Sequence, residues 1–585
     1  MLLPIFGLNH HLMARAFRKC LHLIHRYNNE LKLCEKWRAL LLTKGFVGAN
    51  LICMIDLAIR NGWLIDGTGA LRHRADIGIQ GEQVVEIGRV STARTEIDAT
   101  DQVVSPGFID PHSHSDFTLH ANRESHSSIR QGVTTEIVGN CGFTNAPLSD
   151  QSAAATQARM RSFTYEGPID WRTFGEYLEN IESGGITANI ASFVGHNAIR
   201  TAAGLLGDEE VTDSHLRTMA SLLAEAMESG AIGMSTGLEY TPGIFGTPRE
   251  LQHLAKELGK HDGIYASHIR NRDAKIFESV QELIDLAKIG GISAQISHLN
   301  VRHDTNAPER AWERAVEMMK KAQSEGFDIE ADTTPFKHGI GKMTGILPRW
   351  LIDEGYPEIA KALKDNLVRD RLREDCDRYW RFIHKGQWHR VLLQSSPHLS
   401  EYNGLSFPEI AKLHKKDEWD CFFDILQASG PEMDELILVG ELFAEEHLAE
   451  MVSHPDFSLG VDGYTSVDKG PLSEVTMSQH PYGGHIEYLA HHVREMKTIS
   501  LETAIHKMAA KPANRFGLKK RGVLKEGNFA DVVVFDPANV RTKSTVQQPR
   551  AYPEGIQLVF VNGTIAVKNG EHSGSMTGKV LRRMS

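Results

Sequence analysis

Eight short apolar runs, separated by stretches with helical spacing, constrain this chain more than any other feature. They lie around residues 103–109, 133–139, 188–195, 231–236, 263–268, 292–298, 327–332 and 456–462. Helix-patterned segments such as Ile276 to Lys288 and Ala311 to Gln323 fall between them. An apolar strand needs cover on both faces, and strand–helix alternation supplies it in a parallel α/β fold. Eight such units predict an α/β chain closed into a (β/α)8 TIM-type barrel, with its chemistry at the carboxyl ends of the strands.

The flanks have a different texture. Leu57 to Gly62 and Ile77-Gly78-Ile79 border turn residues such as Asp66-Gly67-Thr68-Gly69, while Ala530 to Pro537 and Leu558 to Gly563 repeat the pattern near the other end. Short strands between glycine turns predict a small β-sandwich domain built from both ends, residues 54–104 with 515–585, around a catalytic barrel at 105–514. Residues 345–450 are too long for one connection and rich in charge and aromatics. They predict a mostly helical insertion placed as a lid.

The first 53 residues stand apart, with eight Lys/Arg against two Asp/Glu. The chain's net charge of −11 therefore divides into +6 here and −11 − 6 = −17 over residues 54–585. No apolar core leads to a small-residue cleavage site, so a signal peptide fits poorly. The segment reads as a basic upstream extension before Met54, the alternative being a basic amphipathic arm for a membrane surface or partner. The acidic balance argues against nucleic acid as a partner and leaves a small-molecule substrate. Six cysteines without a pairing pattern predict a reducing, cytoplasmic setting, and no apolar run reaches membrane-spanning length. Oligomeric state is not legible.

The strand ends carry the chemistry. The first run ends in His112-Ser113-His114, whose i, i+2 spacing puts both imidazoles on one face. The second leads into Gly139-Asn140-Cys141-Gly142, and the third into Gly195-His196-Asn197. The fifth, sixth and eighth end in His268, His298 and Asp462. Singly, His196 reads as a structural histidine, Cys141 as a small buried residue and Asp462 as a turn former. Together they put imidazole, thiolate and carboxylate at one barrel mouth, a zinc-type donor set. A divalent ion there lowers the pKa of its water to about 7 and polarises a carbonyl. Asp462 is then the candidate proton carrier between water and a leaving nitrogen, which predicts hydrolysis of an amide-type C–N bond.

Residues 54–585 resemble the amidohydrolase superfamily, and within it the D-aminoacylase (N-acyl-D-amino-acid deacylase) branch. The resemblance rests on the block Pro106 to His114, on Gly132-Val133-Thr134-Thr135 leading to Gly139-Asn140-Cys141-Gly142-Phe143, and on Val194-Gly195-His196. Met234 to Leu238, Ser297-His298-Leu299 and Gly527 to Asp531 extend it. It implies that Cys141, His268 and His298 hold a tight Zn2+, and that His112 and His114, sharing Cys141, form a weak second site. It also implies Asp462 as general acid/base and His196 as a substrate contact.

Two positions depart from that pattern. Asn300 stands where related deacylases carry lysine, and Thr334-Pro335-Phe336 where they carry Tyr-Pro-Tyr. Both features are associated with holding a substrate carboxylate, so Asn300 and Thr334 join the candidate substrate residues, with Arg270, Arg302 or Lys337 as replacement cations. Two other functions remain open on sequence alone. A cyclic-amide hydrolase of the dihydropyrimidinase or hydantoinase kind needs a bridging lysine that no strand end offers. A catalytically silent barrel has no use for a costly cluster of buried polar groups.

Overall fold

Parallel strands run in chain order around a barrel. The first is Phe108–Asp110 and the second Val133–Val138; the third is broken at Phe193 into Asn189–Ser192 and Val194–Gly195. Gly233–Gly237, Ile264–His268, Ala294–Ile296, Ile329–Thr333 and Phe457–Leu459 follow. Each pairs in parallel with the next. The barrel closes where Asp462 N–H donates to His112 O (2.9 Å) and His114 N–H to Gly463 O (2.7 Å). This computed structural model describes residues 54–352, 354–375, 380–396, 398–475 and 478–583; the basic segment 1–53 lies outside the described residues.

Helices cover the barrel through one apolar face each. Ile276–Gly290 turns Ile276, Val280, Leu283, Ile284 and Ala287 inward, the spacing of a half-buried helix, and stops at Gly291 in the left-handed conformation. Among the described residues no helix is long and apolar enough to cross a membrane.

Two sheets form the β-sandwich. A seven-stranded sheet places Val103–Pro106 between Trp63–Leu64 and Val532–Phe535, so it draws on both flanks of the barrel. A four-stranded sheet of Gln83–Gly88, Asp76–Gln80, Ile55–Arg60 and Ala93–Asp98 faces it. Ile59, Ile77 and Val84 from one sheet pack with Val104, Val532 and Phe560 from the other.

One expectation needs correction and another is incomplete. The run at 103–109 is not one strand: Val103–Pro106 belongs to the sandwich and Phe108–Asp110 to the barrel. The break falls at Gly107, where a Cβ would meet Thr134 Oγ1 at 2.1 Å, so a single apolar run carries the chain from one layer system into the other. The segment between the seventh and eighth strands carries more than the helices expected of it. It contains an antiparallel sheet of His338–Lys342, Ile437–Glu441, Val391–Ser395 and Leu405–Ser406. Trp380, Phe382, Trp388, Phe407 and Phe422 give it an apolar core of its own. Its strands are two to five residues long and set among charge-rich helices, which hides their two-residue period.

Candidate metal centre

Cys141 Sγ is the centre of the barrel mouth. His112 Nε2 lies 3.3 Å from it, His298 Nε2 3.6 Å and His268 Nδ1 3.8 Å. Ligand atoms of His112, Cys141, His298 and Asp462 all fall within 4.8 Å of one another. Asp462 Oδ1 is 3.3 Å from His114 Nε2 and 3.5 Å from His112 Nε2. The turn Gly139-Asn140-Cys141-Gly142 aims the thiol: Asn140 Nδ2 donates to Ile137 O (2.9 Å), and Gly142 N–H donates to Ser235 Oγ (2.9 Å).

The electrostatics are those of a cation site. Burial alone would raise the Cys141 thiol, but the imidazoles of His112, His114 and His268 outweigh it and hold it well below its ordinary value. Burial would likewise raise Asp462; His298, His114 and His112 instead keep it well below the carboxylate range. Burial opposes the charged form of His114, yet Asp462 and Cys141 lift it to about 10. His298 goes the other way, to about 4, through burial and the neighbouring Arg272. The set fits a soft divalent ion. Zinc ligands at about 2.0 Å (nitrogen) and 2.3 Å (sulfur) at a tetrahedral angle stand about 3.6 Å apart, and the three sulfur–nitrogen separations bracket that value.

Comparison with known proteins places the chain in a family. The model of the amidohydrolase family matches residues 95–268 and 443–567. D-aminoacylase of Alcaligenes xylosoxydans xylosoxydans is 30% identical over 533 residues, covering 90% of this chain and 98% of that protein. The chain belongs to the amidohydrolase family. N-acyl-D-glutamate deacylase of the same organism is 31% identical, covering 90% and 97% of the two chains. Among solved structures, D-aminoacylase superposes with a TM-score of 0.74 at 28% identity, covering 90% of this chain and all of that one. The N-acyl-D-glutamate deacylase of Bordetella bronchiseptica, complexed with zinc and a phosphonate inhibitor, has the same score and identity over 91% of this chain and all of that one.

In this amidohydrolase the barrel brings His112, His114, Cys141, His268, His298 and Asp462 together, and treats the candidate substrate residues differently. His196 is sealed off: its Nε2 lies 2.6 Å from Glu250 Oε1, with Arg200 on the other carboxylate oxygen, and all three side chains are fully buried. Glu250 thus gives His196 a core hydrogen-bond partner, which favours the structural role of a lone histidine over a substrate contact. Arg270 is forked onto Glu282 (3.0 Å twice) and donates to Ile244 O and Gly246 O, in a cleft lined by Glu239 at one side and by Leu251 and Trp350. Its guanidinium is committed to these acceptors, which removes it as a pocket cation. Asn300 stays close to the cluster, its Oδ1 accepting from Arg272 Nη1 (2.9 Å). Thr334 is buried just beyond the seventh strand.

Four neighbours escaped the sequence reading. Asp332 Oδ1 stands 3.2 Å from His112 Nδ1 and accepts from His298 N–H (2.8 Å). Glu239 Oε2 accepts from His268 Nε2 (2.8 Å). Arg272 Nη1 donates to His298 Nδ1 (2.8 Å), and the Tyr240 ring meets the His268 ring edge-on at 4.6 Å. Glu239, Tyr240 and Asp332 sit at the ends of the fourth and seventh strands, so strand-end position was the available signal. Arg272, four residues past His268 in a loop, had none.

Proposed function

We propose that this amidohydrolase cleaves an amide C–N bond in a zinc-dependent reaction, with N-acyl-D-amino acids or related N-acyl compounds as substrates. One observation carries the proposal: a buried thiol ringed by three imidazoles, with a single carboxylate on its open side. His112 and His298 side chains are 1% exposed, whereas Asp462 is 34% exposed, so Asp462 is the group an incoming substrate meets. The activities of the related deacylases indicate the substrate class.

Cys141, His112, His268 and His298 would hold the ion, with His114 and Asp462 beside it. Bound there, zinc supplies Lewis acidity that polarises the amide carbonyl and acidifies the attacking water. Asp462, ionised at neutral pH, takes a proton from that water on its carboxylate and later returns one to the leaving nitrogen. His114, 3.3 Å away, steadies the carboxylate between the two transfers. Tyr240, against His268, and Asn300, bonded to Arg272, pack beside the candidate ligands. The buried thiol of Cys421, unpaired, fits a reducing compartment and supports a cytoplasmic setting.

The test is hydrolysis of N-acetyl and longer N-acyl D- and L-amino acids by zinc-loaded protein, beside dihydrouracil and hydantoin. We expect release of free amino acid, abolished by chelation. Asp462→Asn should lower kcat by about 10²–10⁴-fold with zinc content unchanged. Full turnover by that variant would sink the mechanism, and cleavage of the cyclic amides alone would sink the substrate class.

A further inference from the structure

Two candidate ligands of the centre are backed by groups of opposite charge. Behind His268 stands a carboxylate. Glu239 Oε2 lies 2.8 Å from His268 Nε2, and Arg302 forks onto Glu239 with contacts of 2.6 and 3.1 Å. A carboxylate only accepts, so Nε2 carries the proton and the Nδ1 lone pair faces Cys141. His268 ends the fifth strand, Glu239 lies two residues past the fourth and Arg302 in the loop after the sixth, so the pair is held from three parts of the barrel mouth.

Behind His298 stands a guanidinium. Arg272 is 8% exposed and its Nη1 reaches three acceptors: His298 Nδ1 (2.8 Å), His298 O (3.2 Å) and Asn300 Oδ1 (2.9 Å). Arginine only donates. A neutral His298 that accepts at Nδ1 carries its proton on Nε2, the nitrogen 3.6 Å from Cys141 Sγ. In that tautomer Nε2 has no lone pair to offer. The Arg272 nitrogen also separates His298 Nδ1 from Asn300 Oδ1, an acceptor suited to a proton on Nδ1.

We propose that Glu239 and Arg272 are positioning residues of opposite sign. Glu239 primes His268 to ligate, and Arg272 holds His298 in its non-ligating tautomer until the guanidinium releases Nδ1 to Asn300. The inference rests on the proposed zinc chemistry of this site. It makes the affinity of the centre a property that Arg272 lowers, and it gives Asn300 a task as the proton acceptor of the ligating state.

Zinc affinity, read by competition with a chromophoric chelator, separates the cases. Glu239→Gln, close in shape, should lose about 10–100-fold in affinity. Arg272→Met should gain about tenfold, the lower end of the range for groups that orient ligands. That gain should vanish in the double variant Arg272→Met/Asn300→Ala. If removing a positive charge near the ion were the whole effect, the double variant would keep it. The absorption spectrum of each Co2+-loaded variant, with its thiolate charge-transfer band, shows whether the folded site survives the substitution. Opposite shifts, with the gain dependent on Asn300, are the expected result. Arg272→Met binding no tighter than wild type, Glu239→Gln binding unchanged, or a gain indifferent to Asn300 would each overturn the inference while leaving the zinc reading intact. Wild-type protein that takes up no zinc would instead overturn that reading, and this inference with it.

Discussion

Cys141, His298 and Asp462 share a backbone state that side-chain-bearing residues rarely adopt, with φ of +52°, +35° and +55°. Each such residue costs about 1–3 kcal/mol and persists where its surroundings over-determine it, a pattern that concentrates at functional sites. In each case the turn swings the side chain back over the barrel mouth just past a strand end. His196 is the counter-example, a strand-end histidine given over to structure. Glu250→Ala would leave Arg200 and His196 unpaired in a fully buried pocket. We expect a loss of about 3–5 kcal/mol in urea unfolding, with zinc bound per folded molecule unchanged. Loss of zinc at undiminished stability would return His196 to the site.

At the scale of elements, Gly107 is the hinge between the sandwich and barrel layers. A Cβ there would fall 2.1 Å from Thr134 Oγ1 and 2.8 Å from Thr134 Cβ, in the second barrel strand. Gly107→Ala should destabilise by about 1–3 kcal/mol through overpacking. The double variant Gly107→Ala/Thr134→Gly should be more stable than the sum of the single changes implies, because the clash is shared. Additive losses in chemical denaturation would place the strain elsewhere. The same junction shows what a sequence conceals. Hydrophobic periodicity reports that a run is buried but not against which layer, so 103–109 read as one strand. The barrel order was legible because parallel strands buried on both faces leave uninterrupted apolar runs, five of them leading to a residue of the candidate metal centre. The sheet in the insertion was not, since its strands are short and their apolar faces pack against helices of the same segment. At the site, donor-type residues stood out by chemical type. Glu239 and Arg272 did not, because their role lies in which imidazole nitrogen they face, a matter of three-dimensional placement alone.

Across the whole molecule, buried histidines outside the metal centre make the fold sensitive to acid. Burial, the largest cause in each case, depresses His120, His447 and His492 to about 4 and His485 to about 3. His485 stacks on Phe108 of the first barrel strand, with ring centroids 6.0 Å apart, and packs edge-on to Tyr488 within its own C-terminal region. A histidine whose folded pKa lies below its unfolded value of about 6.5 takes up a proton in the unfolded chain first. The unfolded state then binds more protons than the folded state, and stability falls as pH drops from about 6.5 towards the folded value. Each such group contributes at most about 1.4 kcal/mol per pH unit across that window. His485→Leu removes one of these protonations. The difference in urea midpoint between pH 7 and pH 5 should therefore shrink in the variant, measured on metal-stripped protein so that zinc release does not enter. An unchanged acid slope would mean that His485 already protonates in the folded chain, and that the contact between the barrel wall and the C-terminal helices admits water.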